Sequence, residues 1–338
     1  MKIGIVTPAH PKSRYGNRVT ALRWARILKR LGHSVTVKQS YNNERLDLLI
    51  ALHARRSYSS ITRFYRQHPE SPIVVALTGT DLYHDLDLSS RANKSLDLAT
   101  RIVALQRKAL EKLSLRLRRK TRVIYQSVSG AAGNAGGVSG RVAPAATESA
   151  SSPPKRSSGL DTFDVCVVGH LRPVKDPFRA ALAARLLPAS SRIRVVQVGG
   201  AMSRQAELKA QAEMRINPRY CWLGAQPAWR VRRVLERSRL FILSSRMEGG
   251  ANALGEAIVS DTPVLASRIP GSSGILGEDY PGYFKVGDTR ELARLMARAE
   301  TDRAFLEDLR DRCRHLVGLF DPAREEMEWA ELIDELSG

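Results

Sequence analysis

Residues 240–259 read LFILSSRMEGGANALGEAIV and contain the main indications of the fold. The apolar start of this stretch predicts a buried strand, Gly249 and Gly250 predict a turn, and the residues that follow predict a helix. Glycines let backbone approach a ligand closely, and a helix N-terminus presents free N–H groups and a positive dipole end. Carboxylates accept hydrogen bonds from hydroxyls, so Glu248 and Glu256 would suit two hydroxyl-rich rings flanking a diphosphate. An acidic residue near a helix start is also common in ordinary α/β domains, so the interpretation needs a second element.

That second element is VCVVGHLRPVKDP, residues 165–177, where an apolar strand ends in glycine and runs into a basic loop. Arg172 offers a planar fork for phosphate oxygens and Lys175 offers a point charge. Both are candidates for stabilising the negative charge that grows on a departing nucleoside diphosphate. Either residue taken alone is equally well explained as a solvated surface cation. The two loops together favour a phosphate site.

Strand and helix patterns alternate along both halves of the chain, which is typical of doubly wound α/β folds. In the first half we predict strands at residues 2–7, 34–38, 46–52, 73–77, 101–105 and 123–126, and helices at 18–31, 57–68 and 107–120. In the second half we predict strands at residues 162–168, 194–198, 220–223, 240–244 and 263–267. The predicted fold class is therefore α/β, with two Rossmann-like domains whose strand ends face one cleft.

The two predicted domains are separated by a segment rich in Gly, Ala, Ser and Pro with almost no large apolar residues. Such a segment cannot supply a core. We place an N-terminal domain at residues 1–128, a flexible linker at 129–160, a C-terminal domain at 161–320 and a final helix at 321–338.

Composition limits the class of protein further. A chain of 338 residues with 43% hydrophobic residues can bury two cores. No run approaches the roughly 18 apolar residues of a membrane span and no signal peptide precedes the first strand, so we expect a cytoplasmic protein without stable membrane association. Three cysteines lack metal-like spacing and are expected to be reduced, mostly buried thiols.

The formal net charge of +20 favours anionic partners. The cations are spread along the chain, and no helix-turn-helix, RNP or zinc-finger pattern accompanies them. Small phosphorylated substrates therefore fit better than nucleic acid.

Three predicted strands of the first half are followed by cationic or hydroxyl-bearing residues. These residues are Gly16, Asn17, Arg18 and Thr20 at the start of the first helix, Arg55 and Arg56 after strand 46–52, and Thr78 and Thr80 after strand 73–77. The ends of parallel strands meet at one edge of a sheet, so the three loops should open on the same cleft. Any one of these residues alone is more often a solvated cation or a helix cap.

The spacing of Glu248 and Glu256 resembles the E-x7-E signature of retaining GT-B glycosyltransferases of the family 4 type. This resemblance implies that the first Glu faces the donor hexose and the second the ribose. The upstream loop is similar to the family pattern Gly-Arg-Leu-x-x-x-Lys, with His170 where the family has Arg, and this leaves open whether His170 or Arg172 contacts the diphosphate.

The resemblance also implies roles for the domains and their residues. Residues 1–128 would bind the acceptor, residues 161–320 the UDP-sugar, and the final helix would return to the N-terminal domain. The implied catalytic residues are Arg172, Lys175 and Glu248, and the implied donor-binding residues are Gly169, His170, Gly199, Leu223, Gly249, Gly250, Ala251, Asn252 and Glu256.

Several motifs read together look like the selenosugar synthases of selenoneine biosynthesis. They are GNRVTALRWA at 16–25, ALHARRS at 51–57, LTGTDLY at 77–83, GHLRPVKDP at 169–177 and SRMEGGAN at 245–252. This resemblance implies that selenophosphate attacks the anomeric carbon of a UDP-sugar such as UDP-N-acetylglucosamine, releasing UDP and then phosphate. It also implies functional links to an enzyme that supplies selenophosphate and to a downstream selenoneine enzyme. Selenophosphate is already an anionic nucleophile, so cations such as Arg18, Arg55 and Arg56 would matter more than a general base.

Two other functions stay open. An ordinary family 4-type glycosyltransferase would share the donor half but use a lipid or carbohydrate acceptor, and the basic, amphipathic helix 107–120 is compatible with it. A nucleic-acid-binding protein is the weaker alternative. Asp85 and Asp87 match an Asp-x-Asp metal motif, but they lie in the wrong domain for the donor. We interpret them as a solvated acidic patch and predict neither a metal nor a cofactor.

Overall fold

The computed structural model describes residues 1–11, 13, 16–128 and 162–337, so the linker predicted at 129–160 lies outside the described residues. The first domain contains a parallel sheet with strand order β2-β1-β3-β4-β5-β6. Its strands are β1 (Lys2–Val6), β2 (Ser34–Lys38), β3 (Leu48–Leu52), β4 (Ile73–Leu77), β5 (Arg101–Ala104) and β6 (Thr121–Val123). Its helices are α1 (Gly16–Arg30), α2 (Tyr58–Gln67), α3 (Leu86–Leu88), α4 (Ser90–Leu98) and α5 (Leu115–Arg119).

The second domain contains another six-stranded parallel sheet, with order β12-β11-β10-β7-β8-β9. Its strands are β7 (Phe163–Val168), β8 (Ile193–Val198), β9 (Tyr220–Trp222), β10 (Leu240–Leu243), β11 (Val264–Ser267) and β12 (Tyr283–Phe284). Its helices are α6 (Arg179–Ala184), α7 (Arg204–Ile216), α8 (Ala228–Arg237), α9 (Asn252–Val259), α10 (Pro270–Leu276), α11 (Thr289–Thr301) and α12 (Arg303–Arg314). The prediction of an α/β protein built from two Rossmann-like domains is confirmed.

Both sheets are parallel because their central strands are apolar on both faces. Strand β3 reads LLIAL and strand β4 reads IVVAL, and every residue of both is buried. Runs of this kind leave no solvated face and require helices on both sides, which is how parallel sheets are covered. Helix α1 supplies one layer of the first domain through Ala21, Trp24 and Leu28, which are spaced three or four residues apart and buried.

The strand order places the candidate site. The chain runs outward from β7 through β8 to β9 and then returns to β10 on the other side of β7, where Leu240 pairs with Val165. The loops that follow β7 and β10 therefore leave the sheet side by side. Open α/β sheets bind ligands at such a reversal point, outside the carboxyl ends of the strands.

Two predicted elements of the first domain differ in the structure. The region predicted as one helix at residues 107–120 is a 3-10 helix, Arg107–Lys112, followed by α5. The two are separated at Leu113, which has an extended backbone and is buried, and Ser114 then caps α5 by accepting a hydrogen bond from the Leu117 N–H at 3.4 Å. Burial of one apolar side chain thus outweighs the helical propensity of the segment. The last strand of the first domain, β6, begins two residues before the predicted strand 123–126 and ends at Val123.

Helix α13 (Pro322–Ser337) carries the end of the described chain back onto the first domain. Trp329 packs edge-to-face against Trp24 of α1, with ring centroids 4.8 Å apart. Glu325, in the first turn of α13, is 1% exposed and accepts hydrogen bonds from Trp24 Nε1 at 2.9 Å, Ser127 N at 2.8 Å and Ser127 Oγ at 2.5 Å. A single buried carboxylate therefore joins α1, the segment after β6 and α13.

None of the helices in the described ranges combines the length and the apolar character needed to cross a bilayer.

Replacing Glu325 with Ala should lower the free energy of unfolding by about 2 kcal/mol, because three buried donors would lose their acceptor. Urea unfolding followed by tryptophan fluorescence measures this, since Trp24 and Trp329 lie at the affected contact. The matched control is Glu326→Ala, which removes only the surface ion pair with Arg30 and should cost less than about 1 kcal/mol. Equal losses in the two variants would contradict the role given to Glu325.

Candidate active site

The loops after β7 and β10 are hydrogen-bonded into one unit. The Arg246 N–H donates to the Val174 carbonyl at 2.8 Å, and Ser244 Oγ donates to the carbonyls of Lys175 at 3.1 Å and Asp176 at 3.0 Å. The structure therefore brings together the two loops that the sequence singled out as phosphate-binding elements.

Glu248 and Lys175 meet at the centre of this unit. Lys175 Nζ is paired with Glu248 Oε1, and the same oxygen accepts a hydrogen bond from Ser245 Oγ at 2.5 Å. The Glu248 side chain is only 10% exposed, whereas that of Lys175 is 29% exposed. The carboxylate is thus fixed in direction, and the ammonium keeps an open side toward solvent. Arg172 lies in the same loop, and within the described ranges its guanidinium has no ion pair.

A cavity of about 580 Å³ lies between the two domains, a size typical of sites for small-molecule ligands. Four of the predicted donor-binding residues line it, namely Gly169, His170, Gly199 and Glu256. The first domain contributes Val19, Arg23 and Arg26, which lie one turn apart along α1. The second-domain wall of the cavity thus carries Glu256, Glu236 and Arg232, and the first-domain wall carries two arginines.

Burial raises the pKa of Glu256, and the charges of Arg23 and Arg232 oppose that rise only in part. A carboxyl group held in this way is a good acceptor for hydroxyl groups when it is ionised. Its place in α9, one turn after the helix start, leaves the free N–H groups of the first turn next to it.

Arg23 is a site residue that the sequence analysis missed. Both of its terminal nitrogens donate to Asn252 Oδ1 at 3.3 Å, and this bond joins α1 of the first domain to the first residue of α9. Burial lowers the pKa of Arg23, while the carboxylates of Glu325 and Glu256 act in the opposite direction.

A signal for Arg23 was present in the sequence. Val19, Arg23 and Arg26 recur at i, i+4 and i+7, which places them on one stripe of the first helix. The stripe adjoins the helix end that was predicted to bind an anion, but the predicted site residues of that helix end at Thr20.

Gly249 and Gly250 have a different neighbour from the one expected. A Cβ atom on Gly249 would lie 2.6 Å from the Gly79 nitrogen, and one on Gly250 would lie 2.6 Å from Leu105 Cβ. Both glycines thus make room for the first domain rather than for a ligand. Gly79 itself has φ +129 and approaches the Gly249 nitrogen in the same way.

Asp81 organises the acceptor-side loops. It is fully buried and accepts hydrogen bonds from the N–H groups of Thr78 at 2.9 Å, Gly79 at 2.8 Å and Ala54 at 3.0 Å. Since Ala54 follows β3 and Thr78 follows β4, one carboxylate ties the two loops together. The structure therefore places Thr78 and Thr80 beside the loop that carries Arg55 and Arg56.

Several predicted acceptor residues are already engaged within the protein. Thr20 is 3% exposed and accepts a hydrogen bond from Gln126 Nε2 at 2.5 Å. Thr80 Oγ1 lies 3.1 Å from the Nε2 atom of the buried His53.

The interpretation of Asp85 and Asp87 as a solvated patch is wrong for Asp85. Asp85 is 4% exposed, and Arg55 Nε lies 2.8 Å from its Oδ2 atom. Burial alone would raise the pKa of Asp85, but hydrogen bonds from His84 and Arg55 together with nearby positive charge hold it below its usual value. Arg55 is therefore already neutralised, whereas Arg56 is exposed.

Other predicted residues take varied positions. Gly16, Asn17 and Arg18 form the first turn of α1, and within the described ranges Arg18 Nε is buried without a hydrogen-bond acceptor. Ala251 is buried and precedes α9. Leu223 does not line the cavity between the domains, its N–H donates to the Gln197 carbonyl at 2.9 Å, and its carbonyl accepts from Gln226 Nε2, so contact of its backbone with a nucleotide base stays a prediction.

The described residues also contain no group of three or more His, Cys, Asp or Glu side chains arranged to hold a metal ion. Metal independence stays a prediction.

Comparison with known proteins finds similarity to glycosyltransferases. Residues 150–315 match the family described as "Glycosyl transferases group 1". A UDP-Gal:alpha-D-GlcNAc-diphosphoundecaprenol alpha-1,3-galactosyltransferase of Escherichia coli is 26% identical over 166 residues, which is 46% of this chain and 41% of that enzyme. This chain thus matches less than half of the curated relative's length.

Solved structures match the whole chain. HepE of Anabaena, crystallised with UDP and glucose, superposes with a TM-score of 0.72 at 15% identity and covers 99% of this chain and 100% of its own. Sucrose-phosphate synthase of Thermosynechococcus elongatus gives a TM-score of 0.72 at 14% identity, covering 99% and 98%. The chain therefore has the GT-B fold, and its residues 150–315 are similar to the group 1 glycosyl transferases.

Proposed function

We propose that the protein is a glycosyltransferase that takes its sugar from a UDP-sugar. The observation that carries the proposal is the cavity of about 580 Å³ between the domains, which is lined by Gly169, His170 and Glu256. The Glu248–Lys175 pair does not line this cavity, but Lys175 is a close neighbour of Gly169, with its Cδ atom 3.8 Å from the position of a Cβ on that glycine. UDP and UDP-glucose are bound in crystals of the structurally similar HepE, which supports a uridine nucleotide as ligand.

The donor would lie along α9. In this arrangement Glu256 accepts hydrogen bonds from the ribose hydroxyls and Glu248 accepts them from the hexose, while the diphosphate lies at the start of the helix. Lys175 and Arg172 come from the facing loop. As the bond between the anomeric carbon and the diphosphate oxygen breaks, negative charge grows on UDP, and these cations stabilise it.

Lys175 is suited to this task by its partner. Its pairing with Glu248 holds the ammonium at the junction of hexose and diphosphate before any substrate binds. A cation already in place does not have to reorganise when charge develops.

The acceptor we propose is selenophosphate, so that a selenosugar is formed. The selenium lone pair attacks the anomeric carbon and forms a C–Se bond, UDP leaves with the electron pair of the C–O bond, and water then cleaves the P–Se bond to release phosphate. The support is the resemblance of five motifs to selenosugar synthases and a cationic acceptor side containing Arg18 and Arg56. The buried Arg18 Nε donor in particular suits an anionic oxygen.

A lipid-linked acceptor is the second candidate. The Escherichia coli relative is named for an undecaprenol-linked acceptor. On this chain Leu115 is 73% exposed in α5, in the sequence LRLRR, and such a combination suits an anionic lipid surface.

Mass spectrometry separates the two acceptors. The protein is incubated with UDP-N-acetylglucosamine and either selenophosphate, undecaprenyl-diphosphate acceptors in liposomes, or a panel of alcohols. We expect UDP release and a product with the isotope pattern of selenium only with selenophosphate. Transfer to the lipid or an alcohol alone would replace the proposed acceptor, and absence of UDP release from every UDP-sugar tested would refute the proposed function.

The two glutamates should affect binding differently. Glu256→Ala should weaken UDP about tenfold or more, because a charged hydrogen-bond acceptor for the ribose is lost. Glu248→Ala should leave UDP almost unchanged and weaken the complete UDP-sugar. Calorimetry with both ligands measures this, with Glu207→Ala as the control, since Glu207 is half-buried on α7 and does not line the cavity between the domains. Equal effects of both variants on UDP would argue against the assigned orientation.

Loss of the leaving-group cations should lower turnover. Lys175→Ala or Arg172→Ala should each reduce kcat by roughly a hundredfold, the scale for one preorganised donor. Steady-state UDP release is the measurement, and Arg204→Ala, whose side chain is 71% exposed, is the control. Unchanged kcat in either variant would exclude that residue from leaving-group stabilisation.

A further inference from the structure

A second cavity, of about 190 Å³, lies on the other side of α8 from the cleft. Helix α8 contributes Val231, Arg232 and Glu236 to the cleft between the domains, whereas its residues Arg230, Arg233 and Arg237 line the second cavity. One helix thus separates the two spaces. We call the second space the α8 cavity, defined by the three arginines and the strand residues beneath them.

The three arginines form one stripe. Their spacing of three and then four residues places them on the same face of the helix. Like charges at this spacing destabilise a helix by about 0.2–0.5 kcal/mol per pair. Within the described ranges none of the three has an ion pair. The charges therefore work against the helix that carries them, unless an anion lies between them.

The one acidic residue of the cavity is already neutralised. Asp164 of β7 is bound by Arg194 of β8 through two hydrogen bonds, of 2.8 and 2.7 Å, and the two residues are neighbours in the sheet register. The hydrogen bond and charge of Asp164 raise the pKa of Arg194 above its ordinary value. Asp164 is thus paired elsewhere, and the positive charge of the α8 stripe remains.

The floor of the cavity is apolar. Val196 and Cys221 are adjacent in the register of β8 and β9, and Leu223 and Val234 lie beside them. Burial raises the pKa of the Cys221 thiol, so this sulfur is a neutral part of the floor. Next to the rim, Trp229 is 64% exposed and lies under the Arg233 guanidinium, 5.8 Å from ring centroid to Cζ.

We propose that the α8 cavity binds a phosphate group carried by a small apolar body. Arginines recognise phosphate oxygens through their planar, multidentate donors, and an apolar floor suits a hydrocarbon part. The volume admits only a small ligand or the head and first atoms of a larger one. The phosphate source is either a free organic phosphate or the headgroup of an anionic lipid, and the exposed Trp229 suits both.

The test uses the full chain and three probes, namely phenyl phosphate, inorganic pyrophosphate and vesicles of phosphatidylglycerol. Calorimetry follows the soluble anions and sedimentation follows the vesicles, each with and without saturating UDP so that binding in the cleft is recognised by competition. The key variant is R230Q/R233Q/R237Q. Its charge-matched control is R63Q/R66Q/R91Q, which removes three exposed arginines of the first domain.

We expect UDP-insensitive binding that the key variant loses by about tenfold or more and the control retains. Dependence seen with soluble anions identifies a free phosphate ligand, and dependence seen only with vesicles identifies a lipid headgroup. Equal binding by the two triple variants, or no UDP-insensitive binding of any probe by the natural protein, would overturn the proposal. Circular dichroism verifies folding, and Arg233→Glu replaces the triple variant if that one does not fold. The readout does not depend on glycosyl transfer.

Discussion

The geometry of this protein depends on the buried carboxylate of Glu325. The two parallel sheets form separate cores, so their mutual position depends on the segments that pass between them. Glu325 fixes one of these segments by accepting hydrogen bonds from Trp24 and Ser127 of the first domain. Because Trp24 lies one residue from Arg23, the same turn of α1 that is locked to α13 also carries the cation that contacts Asn252 across the cleft. One turn of α1 thus contributes both to stability, through Trp24, and to the shape of the site, through Arg23.

Some of the charged residues around the cleft are paired with one another and others are not. The loops after β7 and β10 contain Arg172, Lys175 and Glu248, and only the last two neutralise each other. On the facing side Arg55 is neutralised by Asp85, while the carboxylate of Asp81 accepts hydrogen bonds from backbone N–H groups. The cavity between the domains is lined by three arginines and two glutamates, which is a small excess of positive charge. The proposed diphosphate donor and anionic acceptor would both be attracted by positive charge, which would reduce the repulsion between them.

Much of the fold could be predicted from the sequence, because parallel strands such as LLIAL and IVVAL are apolar on both faces and appear as continuous apolar runs. The loops of the candidate site followed from the strands that precede them. The interpretation failed where a residue's neighbour comes from a distant part of the chain. Gly249 meets Gly79 and Asp85 meets Arg55, and neither contact has a local signature. Arg23 does have one, in the stripe that it forms with Val19 and Arg26, but its partner Asn252 has none. The break at Leu113 belongs to the same class, since burial in the core decided it.

The close approach of Gly79 and Gly249 has a consequence for substrate entry. Where Gly79 of the first domain touches Gly249, main chain lies directly on main chain, whereas the neighbouring Gly250 packs against the side chain of Leu105. Such a seam has few van der Waals partners to lose when it separates, since the atoms of a side chain are missing on both sides. At the Gly79–Gly249 contact the two domains therefore meet through the shape of their backbones, while hydrogen bonds such as Arg23 to Asn252 and Tyr125 to Gly274 hold them together elsewhere. A hinge motion that admits the proposed nucleotide sugar would therefore break few contacts between the domains at Gly79 and Gly249 and more of them elsewhere.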